Sequence, residues 1–303
     1  MSILAGMGGM GGKGATGLSW IADLAVGFAD GDGLSNEAAV PIGSETIKLT
    51  YDRIQPTEFR RHSWHPAYLA QAVLAEFSAF PINPQRTAID RSSAIAEIPA
   101  WLSADPDDWD RAGTNLDGEL KILMAFADSH RRLRQTEIMA QAEDATAFWA
   151  NLLMASPVTR PATWTLIEIG QAVGMMVAMH FKRKYSRPRP VEVYPALMPM
   201  LLTPPHASYP NAHALQSLLM SGLLKKAVPQ GLHLPLDALA LRVGQNREIA
   251  GVHYPSDRTA SIKMANILLP LFNDINTKDT VFYEVMERAK SEWPSPPTKA
   301  PSV

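Results

Sequence analysis

The chain has 303 residues, 46% hydrophobic and 19% charged, enough to bury a sizeable core in one large or two modest domains. Its formal net charge of −2 carries no nucleic-acid footprint. The absence of cysteine excludes disulfides, thiolate catalysis and zinc–thiolate sites.

Residues 1–50 read as a Gly-rich, partly irregular arm. Its start, MSILAGMGGMGGKGATG, lacks a basic segment followed by a continuous apolar run, so no secretory signal is read and the protein is expected to be soluble and cytoplasmic. Residues 20–28 predict a short helix and residues 41–51 a short strand or extended arm. His62 and His65 lie three apart without a carboxylate at matching spacing, which reads as a turn into a helix over 66–80, with Pro66 at its first position. Residues 86–112 read as a loop-rich connection. The acidic run at 105–110 lacks the glycine and distal glutamate of a calcium loop. Apolar residues at helical spacing predict helices over 117–133 and 135–153. Residues 51–157 are thus expected to supply helices that pack on a core formed by 158–290, and 291–303 a Pro-rich, disordered tail.

Pro161 opens a helix that is apolar nearly all round, the pattern of a buried central helix, and delivers Lys182 at its end. Its interior Glu168 and Gln171 argue against a bilayer span. Pro188 and Pro190 place Arg189 on extended backbone. Asn211 reads as the N-cap of a helix over 212–226, with His213 in its first turn, where free amides and the helix dipole favour an anion. A helix over 235–252 carries Arg247, His253 follows it, and Ser256 or Asp257 opens the last long helix. Helical periods dominate, so the fold class is mainly α, a helical bundle with its polar clusters gathered at one end.

Three fixed cations (Lys182, Arg189, Arg247), two histidines and a carboxylate are the inventory of a site for a tetrahedral oxyanion such as phosphate or vanadate. The arrangement Lys182-x6-Arg189-Pro190, Pro210-x-x-His213, Arg247-x5-His253-x3-Asp257 resembles the three-part signature of the type-2 phosphatidic acid phosphatase (PAP2) and vanadium-dependent haloperoxidase superfamily, over residues 160–275. The resemblance implies a helical bundle of that type with the anion site at one end. It implies oxyanion binding by Lys182, Arg189, Asn211, Ala212 and Arg247, and catalysis by His253, His213 and Asp257. In a haloperoxidase, vanadate is the cofactor, His253 its axial ligand, and peroxide and halide the substrates. In a soluble acid phosphatase without cofactor, His253 attacks a phosphomonoester to form a phosphohistidine, Asp257 fixes its tautomer, and His213 protonates the leaving group. His206, seven residues before His213, resembles the second histidine of bromoperoxidases and is a halide-site candidate, which favours the haloperoxidase. An inactive oxyanion-binding member is a further alternative, because Asn211-Ala212 stands where Ser-Gly is usual. No nucleic-acid partner or membrane span is expected; a homo-oligomer is compatible with the family.

Overall fold

A computed structural model describes residues 37–42, 45–50, 64–79 and 115–293. The readings over 20–28, 86–112 and 294–303 fall outside these residues. The chain divides into two units, residues 1–64 and 65–303. In the first, strands β1 (Glu37–Ile42) and β2 (Glu45–Thr50) form an antiparallel hairpin with Val40 opposite Ile47. The strand expected over 41–51 is therefore the second arm of a hairpin whose first arm starts earlier.

The second unit is helical. In chain order its helices are α1 (Pro66–Ala79), α2 (Leu116–Ser129), α3 (Arg131–Asp144), α4 (Thr146–Leu153), α5 (Pro161–Tyr185), the single turn α6 (Pro190–Val193), α7 (Ala212–Leu224), α8 (His233–Ile249), α9 (Pro255–Asp274) and α10 (Val281–Ser291). The protein is mainly α.

Helix α5 is the axis. Leu166, Ile167, Ile169, Val173, Val177 and Phe181 are wholly buried, and α1, α7 and α10 pack around it. It is long and apolar enough to cross a membrane by length and composition, yet most of that apolar window is covered by the rest of the molecule. A turn-by-turn pair of glycines lets α7 lie against its backbone. A Cβ on Gly170 would stand 2.7 Å from the Met220 nitrogen, and one on Gly174 would stand 2.9 Å from the Gln216 Cα. Helix α7 in turn packs on α8 and α9, which also touch each other. Buried Trp149 ties α4 in by donating from Nε1 to Ser221 Oγ at 2.9 Å.

The helical segment expected over 117–153 is three helices rather than two, interrupted at His130 and Ala145. Helix α5 ends at Ser186, which takes a left-handed conformation (φ 47°) and closes onto the Lys182 carbonyl, before the prolines are reached. Helix α10 has no counterpart among the sequence expectations, and Trp293, assigned to the disordered tail, packs on the core. Its Nε1 donates to Thr163 Oγ1 at 3.1 Å and the Arg160 guanidinium lies over its ring.

Candidate active site

The third cluster is built by a tight turn between α8 and α9. Gly251 sits at φ +79°, where only glycine is unstrained, and reverses the chain after Arg247. Asp257 then falls in the first turn of α9, where its Oδ2 accepts from the Tyr254 amide at 3.1 Å, a favourable place for an anion. The same Oδ2 accepts from His253 Nδ1 at 2.9 Å and Ser208 Oγ at 2.6 Å, and Oδ1 accepts from Arg187 Nη1 at 2.8 Å. Burial alone would push this carboxyl up. Its hydrogen bond from His253 and the charge of Arg187 outweigh that and hold it well below the usual carboxylate range.

Those contacts define the His253 ring. Arginine can only donate, so the 3.0 Å contact between Arg189 Nη1 and His253 Nε2 makes Nε2 an acceptor. The proton is then on Nδ1, facing Asp257. Burial and the neighbouring Arg189 charge lower the affinity of the ring for a second proton, so His253 is a neutral imidazole with a lone pair on Nε2.

Arg189 joins two of the clusters. Its Nη1 also donates to the Val252 carbonyl (2.6 Å), its Nε to the His206 carbonyl (3.0 Å) and its Nη2 to His206 Nδ1 (2.9 Å). Its own amide is held by Glu192 at 2.6 Å, on the extended backbone foreseen from Pro188 and Pro190. Burial brings the Arg189 and Arg247 guanidinium groups down to about 10, and both stay protonated at neutral pH. The His206 ring is pushed down to about 4 by partial burial and by Lys182.

His213 leads into the same group of charges from the first turn of α7. Burial first, and then Arg247, Lys182 and Arg189, push its ring down to about 3, so it is neutral. Arg247 is buried and donates from Nη2 to the Ile138 carbonyl (3.2 Å) and to Gln141 Oε1 (3.3 Å), while its Nε is buried with no partner. Among the described residues, the amides of Ala212 and His213 also make no hydrogen bond. Lys182, Arg189, His206, His213, Arg247, His253 and Asp257 are thus one electrostatically coupled group.

Two of the expected oxyanion-binding side chains are engaged within the protein. Asn211 was expected to offer its amide to the oxyanion. Its Oδ1 instead accepts from the Ala214 amide at 3.1 Å, the N-cap bond, and its Nδ2 donates to the Gly244 carbonyl at 3.2 Å. The side chain is buried and spent on joining α7 to α8. Lys182 was expected among the residues that bind the oxyanion. All three of its protons go to carbonyls, those of Ala207 (2.7 Å), Ser208 (2.8 Å) and Pro210 (2.7 Å), so it contributes charge and braces the 206–210 loop. Burial and Arg189 hold its ammonium well below the usual lysine range.

Sequence reasoning missed Arg187, Ser208, Glu119 and Gln141. Arg187 lies between Lys182 and Arg189, and Ser208 between His206 and His213, and both went unassigned. Glu119 and Gln141 come from α2 and α3, far away in sequence, with no spacing to mark them. Among the described residues no group of three or more His, Asp or Glu side chains is arranged as a metal cage; an oxyanion held by one imidazole and hydrogen-bond donors requires none. Searches against protein-family models and curated proteins find no match to this chain.

Proposed function

We propose that this chain is a member of the PAP2/vanadium haloperoxidase superfamily, with that superfamily's helical bundle, and that it binds vanadate and oxidises halide with hydrogen peroxide. The observation that carries the reading is the fixed state of His253: protonated on Nδ1 against buried Asp257, with the Nε2 lone pair among buried cations. The residues fit the group. The Arg247 Nε and the Ala212 and His213 amides are donors without acceptors, and Arg189 already directs a proton at Nε2 that an incoming oxygen can take over. His253 and these donors would hold the vanadate, and bound vanadate supplies activation of peroxide toward halide. His213, neutral in the free protein and half-buried, is the group that can take up and return a proton there, and Lys182 and Arg189 supply positive charge that lowers the cost of the anion. Each close pairing is worth about 4 kcal/mol per unit charge at 4 Å at an effective dielectric near 20.

His206 favours this reading. A partly exposed imidazole bonded to Arg189 has no task in the phosphoryl-transfer reading, and it would be available to a halide. The same unprotonated Nε2 supports a second reading as a phosphomonoesterase: Nε2 attacks phosphorus, the alkoxide leaves with a proton from His213, and His213 then draws a proton from the water that opens the phosphohistidine.

A paired assay on protein stripped of phosphate separates them. Vanadate-dependent bromination of a phenol, blocked by phosphate, is expected. Release of p-nitrophenol from its phosphate ester, inhibited by vanadate, would establish the phosphatase instead. His253→Ala should abolish whichever activity is found; retention within tenfold would overturn the site.

A further inference from the structure

We infer that Arg187 and Glu119 are positioning residues that aim Asp257, and through it the lone pair of His253. The inference rests on His253 being the reacting imidazole, as proposed above.

Asp257 divides its two oxygens between two tasks. Oδ2 serves His253, Ser208 and the Tyr254 amide, while Oδ1 is reached from the other side by Arg187 Nη1 at 2.8 Å. Pinning Oδ1 sets the plane of the carboxylate, and that plane sets the direction in which Oδ2 meets His253 Nδ1. Arg187 is itself held on three sides. Its guanidinium lies 3.8 Å over the Tyr254 ring, its Nη1 also donates to Ser256 Oγ at 2.7 Å, and its Nη2 donates to Glu119 Oε2 at 2.8 Å. Glu119 is fixed in turn by the Ser256 amide at 2.7 Å and the Ser256 hydroxyl at 3.0 Å. All three charged side chains are buried. The result is an alternating row, Glu119, Arg187, Asp257, His253, that ends on Nε2.

A row of this kind is poorly explained as a stability device. Taking ions out of water costs several kcal/mol each, and apolar replacements of similar volume often serve stability as well or better. What the row provides is direction. An arginine fork can satisfy two carboxylates at once in one plane; a lysine ammonium cannot fix either plane. Outer partners of this type orient the group that touches the ligand, and their loss typically costs about 10–100-fold in affinity or activity.

The test uses Arg187→Met, Arg187→Lys and Glu119→Gln in the full chain. The first readout is the nitrogen NMR signature of the His253 ring in the free protein, assigned by its loss in His253→Gln. The wild type is expected to show a single tautomer with the proton on Nδ1. Arg187→Met should move the His253 ring nitrogen signals away from their wild-type values, Glu119→Gln should move them less, and Arg187→Lys should restore them in part. The second readout is steady-state kinetics: kcat should fall about 10–100-fold in Arg187→Met with KM within about twofold, because contacts to the substrate are untouched. A folded Arg187→Met with the wild-type His253 signature and kcat overturns the inference. If Arg187→Met does not fold, Glu119→Gln decides by the same two readouts, and wild-type behaviour in it overturns the inference. A wild type that neither turns over nor binds vanadate would instead refute the proposed function, while the His253 signature still decides the positioning.

Discussion

Oxyanion binding at this site should draw a proton onto His213. In the free protein burial, then Arg247, Lys182 and Arg189, push the ring down to about 3. A tetrahedral dianion placed among the same cations offsets their repulsion and adds a hydrogen-bond acceptor. Raising the ring from about 3 to above 6 requires about 4 kcal/mol, at 1.36 kcal/mol per unit. One unit charge at about 4 Å supplies roughly that much at an effective dielectric near 20, and a dianion brings two, although burial of the ring is not undone. Sulfate is the probe of choice, because it does not itself titrate near neutrality. Calorimetry near pH 6, in two buffers with different heats of ionisation, should reveal uptake of a substantial fraction of one proton per sulfate bound. His206 and His253 are also neutral in the free protein, so His213→Gln is the necessary control: it should bind sulfate with little uptake. Binding without uptake in the wild type, or the same uptake in His213→Gln, refutes the placement of His213 beside the anion.

Two further outcomes concern the scaffold. Gly174→Ala places a methyl 2.8 Å from Gln216 Cγ and 2.9 Å from its Cα, so α7 must shift; urea unfolding should show a loss of about 1–3 kcal/mol. Asp257 gives stability an acid limb. Its carboxyl is held far below its unfolded value near 3.9, so its contribution is present above about pH 4 and is lost as pH falls toward the folded value. Urea midpoints measured against pH should fall less steeply on the acid side in Asp257→Asn, which starts from lower stability because Arg187 loses an anionic partner.

The parts of this site that could be read in the sequence are those whose chemistry is local. Lys182, Arg189, His213, Arg247, His253 and Asp257 stand at helix ends and turns, where Pro, Gly and capping residues mark the backbone. A carboxylate four residues after a histidine, at a helix start, can reach back to it, and Asp257 does. Helix α10 was legible too but went unread: Thr280 caps it, its Oγ1 accepting from the Tyr283 amide, and Phe282, Val285, Met286 and Ala289 repeat at helical spacing on the buried face. The break at His130 was not legible, because apolar spacing runs on through it. Glu119 and Gln141 were hidden for a different reason. Each is an ordinary polar residue on an amphipathic helix until tertiary packing brings it to Arg187 or Arg247, and no local pattern encodes that distance.

Asn211 shows how the geometry of one position can point away from the role its motif implies. A motif comparison alone predicts that Asn211→Ser, restoring the usual serine, tightens oxyanion binding. The geometry predicts otherwise. Serine can still cap α7 by accepting from the Ala214 amide, so the helix start survives. It is too short to keep the Nδ2 bond to the Gly244 carbonyl, a buried tie between α7 and α8 whose loss costs about 1 kcal/mol. In capping, the hydroxyl is held at the helix start by the Ala214 amide, the position the Asn211 oxygen already fills. Asn211→Ser should therefore unfold at lower urea concentration and bind sulfate or vanadate no more tightly than the wild type. A gain in affinity of tenfold or more would show that the start of α7 rearranges when the anion binds, and that the capping geometry belongs to the free protein alone.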